Sequence, residues 1–127
     1  PSESKPHEIR MPSNPDSRVL RQNLLDSGEI APSYPNAAHH IVAGNAPRAD
    51  KARFILRKYG IDINDASNGV FLPTVKGVSE ATYHHSMHTR TYYDAVNEIL
   101  RNANSREEVI YYLNYIAERL KNGTFPK

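Results

Sequence analysis

Five of the six histidines lie in two short runs, Ala38-His39-His40-Ile41-Val42 and Tyr83-His84-His85-Ser86-Met87-His88. Neutral imidazole is the commonest side-chain ligand for zinc and related ions, and a pKa near neutrality also suits it to moving protons. On an extended backbone His39 and His40 point to opposite faces, because strand side chains alternate with period two. One ring can then hold a metal while its neighbour faces a substrate. If the second run is helical, His84 and His88 stand one turn apart on one face, at a spacing that lets two imidazoles grip one ion. Together with His39 they form a three-ligand set that leaves a position open, the usual plan of a catalytic metal site. His40 is then available to take a proton from water. A single His-His pair would be weak evidence, but two clusters in a chain with no rival constellation favour a metal site. No serine elbow, Walker phosphate loop or dinucleotide fingerprint is present.

Composition narrows the chemistry further. The chain has 127 residues and no cysteine, so it suits a single domain with one modest core, and any metal must be held by nitrogen and oxygen. A formal net charge of +2 argues against a polybasic nucleic-acid binder while allowing a local positive surface. No apolar run is long enough to span a bilayer, and no signal-peptide pattern opens the chain. The start, Pro1-Ser2-Glu3-Ser4-Lys5-Pro6 without methionine, reads as the cut end of a longer polypeptide. Residues 1–15 hold four of the nine prolines and read as a flexible linker containing His7, with the domain proper over 16–127.

The scaffold follows from periodicity and punctuation. Asp16 or Ser17 caps a helix with the stripe Val19, Leu20, Leu24 and Leu25, stopped by Gly28. A short extended piece, Ala38 to Val42, carries the histidine pair. Pro47 opens a second helix ending at Gly60, whose polar face holds Arg48, Lys51, Arg53, Arg57 and Lys58; that face is either simply solvated or suited to a polyanion. Residues 61–69 are dense in turn formers, and Val70-Phe71-Leu72-Pro73 reads as a strand closed by proline. Thr89 or Thr91 caps a helix carrying Tyr92, Tyr93, Val96, Ile99 and Leu100, unless that helix begins earlier and takes in the histidines. Ser105 with Glu108 matches a capping box, and Val109, Leu113, Ile116 and Leu120 repeat at helical spacing up to Gly123. Tyr111, Tyr112 and Tyr115 read as packing residues.

The order Ala38-His39-His40, then Asn68-Gly69-Val70-Phe71-Leu72-Pro73, then His84 to His88 with Thr89 and Tyr92-Tyr93 resembles the AHH family of the HNH/endonuclease VII nucleases. The resemblance covers about residues 19–120. It implies an α+β, mainly helical domain: a small ββα-metal finger surrounded by helices, acting as a metal-dependent DNA endonuclease. It also implies a C-terminal toxin domain, secreted or delivered into a target bacterial cell as part of a larger polypeptide, with a cognate immunity protein as partner.

Carried onto this chain, the resemblance makes His39 a metal ligand, His40 the general base, Asn68 the middle asparagine that ties the loop or touches the metal, and His84 and His88 the last ligands. His85 leaves an alternative pairing open at three-residue spacing; otherwise it is a phosphate contact. Arg48, Lys51 and Arg53 stand beside the finger as candidate nucleic-acid contacts. The cofactor is one divalent ion, magnesium or zinc, nickel or manganese. Two other readings remain at this point: a ribonuclease using the same histidines, and a non-enzymatic binding module with a structural His-bound zinc.

Overall fold

The computed structural model describes residues 13–127; His7 and most of the expected linker lie outside that range. Four helices and one two-stranded sheet make a small α+β fold, as expected. The helices are α1 (Ser17–Asp26), α2 (Asp50–Lys58), α3 (Arg90–Leu100) and α4 (Arg106–Lys121), and the strands are β1 (Asn36–His40) and β2 (Gly69–Pro73). Among the described residues no helix is long and apolar enough to cross a membrane.

Local chemistry sets the helix ends. The Asp16 carboxylate accepts from the N–H groups of Arg18 and Val19, and Thr89 accepts from Tyr92. At α4 the Ser105 hydroxyl accepts from the Glu108 N–H while the Glu108 carboxylate accepts from the Asn104 N–H. Such caps satisfy amides that the helix itself leaves unpaired and are each worth about 1 kcal/mol. α2 has no side-chain cap of its own and is entered through a 3₁₀ turn, Pro47–Ala49. Its free start is held from α3 instead, where the Asn97 amide accepts from Ala52 N–H and donates to Arg48 C=O. The glycines expected as stops, Gly28, Gly60 and Gly123, follow α1, α2 and α4 at positive φ, where a side chain would be strained.

The sheet is antiparallel, with His39 opposite Val70 and His40 opposite Gly69. Its pleat sorts residues onto two unequal sides. One side belongs to the main core, where Val70 and Leu72 pack with Ile41, Val42, Ala52, Leu56, Tyr92, Val96, Leu113 and Ile116 among others. The other side is a small separate cluster in which Leu20 and Leu24 of α1 cover Ala38 and Phe71. Only that half of the expected α1 stripe is buried, since Val19 and Leu25 are exposed. A Cβ on Gly69 would stand 2.6 Å from the Leu20 Cδ1, so the bare backbone there is what lets α1 lie close over the His40 end of the sheet.

Three details depart from the sequence reading. β1 begins two residues earlier than expected and ends at His40. The second histidine run is no part of an α-helix: His84–Ser86 form a single 3₁₀ turn, and α3 starts after Thr89. Tyr111 and Tyr115 lie exposed on α4, with Tyr115 stacked beneath the Arg119 guanidinium and only Tyr112 half-buried.

Candidate active site

β1 delivers the two adjacent histidines to different environments. His39 is 6% exposed and faces the main core. Its Nε2 lies 2.9 Å from the Tyr92 hydroxyl, which in turn stands 2.7 Å from the Ile41 carbonyl. Tyr92 has one proton and donates it to that carbonyl, so its oxygen accepts from His39 and the proton of the imidazole is on Nε2. The lone pair is therefore on Nδ1, which has no hydrogen-bond partner among the described residues.

His40 lies on the α1 side, with Nε2 2.8 Å from the Asn64 side-chain oxygen. The orientation of that amide follows from its other partners, because the same oxygen accepts from the Asp16 N–H and the Asn64 nitrogen donates to the Asn14 carbonyl. An amide oxygen cannot donate. His40 is thus also protonated on Nε2, with its Nδ1 lone pair left for chemistry.

A cleft of about 530 Å³ is lined by both rings together with His84, His88 and Tyr93, by Pro15 and Ser17 at the start of α1, and by the loop 43–46. Among its described lining there is no Lys, Arg, Asp or Glu. The His84 ring meets His39 edge-on at 5.3 Å between centroids, and its buried Nδ1 has no hydrogen-bond partner among the described residues. His88 Nδ1 lies 3.0 Å from the Tyr93 hydroxyl. Consecutive tyrosines on α3 therefore address different histidines, since neighbouring helical residues point about 100° apart. His85 is exposed and meets Tyr83 and His84 edge-on, outside the cleft lining.

Electrostatics favours neutral imidazoles here. Burial, followed by the neighbouring His84, His40 and His88, holds the pKa of His39 well below its usual value. Burial and then His85, His88 and His40 lower that of His84. Burial, then Tyr93, pushes the Tyr92 phenol upward, which keeps it a neutral hydroxyl able to accept from His39. Among the described residues no three His, Asp or Glu side chains are gathered closely enough to form a finished metal shell. The nitrogens that could serve an ion, were these rings drawn closer together, are Nδ1 of His39, Nδ1 of His84 and the imidazole of His88, all from residues that line the cleft.

The remaining sequence candidates stand elsewhere. Asn68 is fully buried beside the loop and away from the cleft lining; its amide accepts from Val42 N–H and donates to the carbonyls of Val42 and Ile63. It ties together the chain that leaves β1 and the turn that enters β2. Arg53 donates to the carbonyls of Ala43 and Ala46, both at 2.8 Å, so its charge braces the cleft rim from behind. Arg48 pairs at 3.8 Å with Asp94, and Lys51 is exposed; neither lines the cleft. The residue that sequence reasoning passed over is Asn64, hidden in the turn-rich run 61–69 where an asparagine reads as a turn former.

A family model matches residues 20–122, and its description is a nuclease family of the HNH/ENDO VII superfamily with conserved AHH. Ala38-His39-His40 is that AHH, and the chain belongs to the AHH nuclease family. No curated protein and no solved structure matches the chain.

Proposed function

We propose that this domain is a metal-dependent endonuclease that hydrolyses phosphodiester bonds in DNA. One observation carries the reading: the strand turns His39 and His40 to opposite faces while both still border one cleft with His84 and His88. The order of β1, β2 and the histidine run before α3 is the order that a ββα-metal finger would require. His39, His84 and His88 would hold the ion, and Asn68 would keep the loop between the strands in register. When bound, a divalent ion supplies positive charge that offsets the charge developing on the phosphate and the leaving oxygen.

That charge has few other sources in a cleft whose described lining lacks Lys and Arg. His40 takes the proton from the attacking water on Nδ1, since its Nε2 is committed to Asn64. Positioned general-base catalysis of this kind contributes about 10²–10⁴ in rate. Arg48 and Lys51 would add phosphate contacts at the periphery, giving affinity that falls with salt and carries little sequence preference. The family resemblance further supports a toxin effector, delivered into a target bacterial cell within a larger polypeptide and restrained in the producer by an immunity protein.

The test is cleavage of supercoiled plasmid by the wild-type domain and by His40→Ala, with magnesium, manganese, nickel or zinc, and with EDTA. Metal-dependent nicking that disappears in the variant supports the reading. Plasmid cleavage that survives EDTA removes the metal from the reading, and RNA cut in place of DNA in a parallel assay replaces it with a ribonuclease. Folded protein that binds zinc and cleaves neither leaves a binding module.

A further inference from the structure

Asn64 is 3% exposed, sits 24 residues from His40 in the chain, and uses every polar group it has. Its side-chain oxygen accepts from His40 Nε2 at 2.8 Å and from Asp16 N–H at 3.0 Å, while its side-chain nitrogen donates to Asn14 C=O at 2.8 Å. Its backbone carbonyl accepts from the Asn23 amide of α1, and its N–H donates to Asp62. The amide is thus clamped on one side by the chain entering α1 and on the other presents a single acceptor to the proposed base. Pro15, between the two clamping residues, lies directly against Gly44 and lines the cleft.

We propose that Asn64 is a positioning residue for His40, and that the segment Asn14–Asp16 sets it, so that the chain ahead of α1 is part of the catalytic apparatus. The inference deepens the nuclease reading and rests on it for its kinetic consequence. The physical reason is that a neutral imidazole has two tautomers, and only the one protonated on Nε2 leaves Nδ1 free to accept a proton from water. A buried acceptor that can receive but not donate selects that tautomer. The same amide would lose this selectivity if it turned over, and the two backbone groups at Asn14 and Asp16 are what stop it turning. Bonds that set the tautomer and aim of a working histidine commonly decide its effectiveness.

The experiment uses the full chain and reads the ring nitrogens of His40 by long-range ¹H–¹⁵N correlation above neutral pH, together with steady-state plasmid cleavage. His40→Ala identifies the signals. Asn64→Ala should turn a pure Nε2–H form into a tautomer mixture and lower kcat by about ten- to a hundredfold, part of what a general base supplies. KM and metal affinity should stay within about twofold, as for a group acting only on the chemical step. Asn64→Asp keeps an acceptor for His40 and should retain the Nε2–H form, while loss of the donation to the Asn14 carbonyl weakens the clamp and leaves the rate between those of wild type and Asn64→Ala. Gly44→Ala changes none of the bonded partners, but its Cβ would displace Pro15; it should shift the tautomer in the same direction as Asn64→Ala.

A pure Nε2–H signal in Asn64→Ala, or an unchanged kcat, overturns the positioning role. An undisturbed tautomer in Gly44→Ala overturns the part given to residues 14–16. If Asn64→Ala does not fold, Gly44→Ala decides the matter, a shifted tautomer supporting the clamp and an undisturbed one overturning it. Should the wild type cleave no nucleic acid, the nuclease reading fails while the tautomer measurement still tests the clamp.

Discussion

The two faces of β1 place identical side chains, one residue apart, in surroundings with opposite consequences. His39 lies in the main core against a tyrosine that can only accept from it, among histidines that discourage its protonation. His40 lies under α1, half-buried, against an asparagine amide tied to the start of the chain's first helix. The first environment, through burial and then the neighbouring histidines, favours a neutral imidazole. The second commits Nε2 to Asn64 and leaves the lone pair on Nδ1, in a residue that lines the cleft. The residue type supplies the chemistry available, and the pleat of the strand decides which part of it each ring performs.

Removing His40 should break this division most sharply. His40→Ala is expected to lower plasmid cleavage by about 10²–10⁴ while a calorimetric metal titration stays close to wild type; parallel loss of both would mean that the roles of the two faces are exchanged. Next come the proposed metal ligands. His84→Ala or His88→Ala should weaken metal binding by more than the roughly ten- to hundredfold typical of an outer-shell change, and an unaltered titration would remove that histidine from the set.

Tyr92→Phe sharpens the comparison on the core side alone. It strands the His39 N–H and the Ile41 carbonyl, so it should cost about 1–3 kcal/mol in urea unfolding and weaken metal binding by about tenfold, with the His40 tautomer undisturbed. A stability equal to wild type would show that water takes over both bonds. Acidification should act through the same face. Because folding lowers the His39 pKa, the unfolded chain binds the proton first, and stability is lost as pH falls below the unfolded value near 6.5, by up to about 1.4 kcal/mol per pH unit for one such group. His84 adds in the same direction, so a melting temperature flat between pH 7 and 5 would contradict the buried neutral rings. The smallest effect is expected at the periphery, where charge reversal of Arg48 and Lys51 should reduce DNA affinity modestly and flatten its salt dependence.

Much of this organisation was legible in sequence because it depends on neighbours in the chain. Caps such as Ser105 with Glu108, stops such as Gly60, and the opposite aim of His39 and His40 all follow from local geometry. What was not legible depends on partners far apart. The Thr89 cap was legible too, but the alternative of a helix reaching back through the histidines was settled only by the structure, in which His84–Ser86 form a 3₁₀ turn ahead of α3. Arg53 looks like one more solvated cation until the carbonyls of Ala43 and Ala46 are found within its reach. Asn64 becomes meaningful only when residues 14, 16 and 40 meet around it.

The unequal size of the two apolar clusters carries a consequence for how the molecule comes apart. α1 rests on four buried residues, Leu20, Leu24, Ala38 and Phe71, while the other three helices share a core several times larger. Segments with few buried contacts open locally at less than the global cost, so α1 is the part that detaches first, and amides of residues 18–26 should exchange with solvent well before those of α3 and α4. Such an opening uncovers the His40 face and leaves the His39 face folded. On the proposed reading, such a state keeps the His39 face intact and leaves His40 on β1 without its cover of α1, so activity would fail before the fold does.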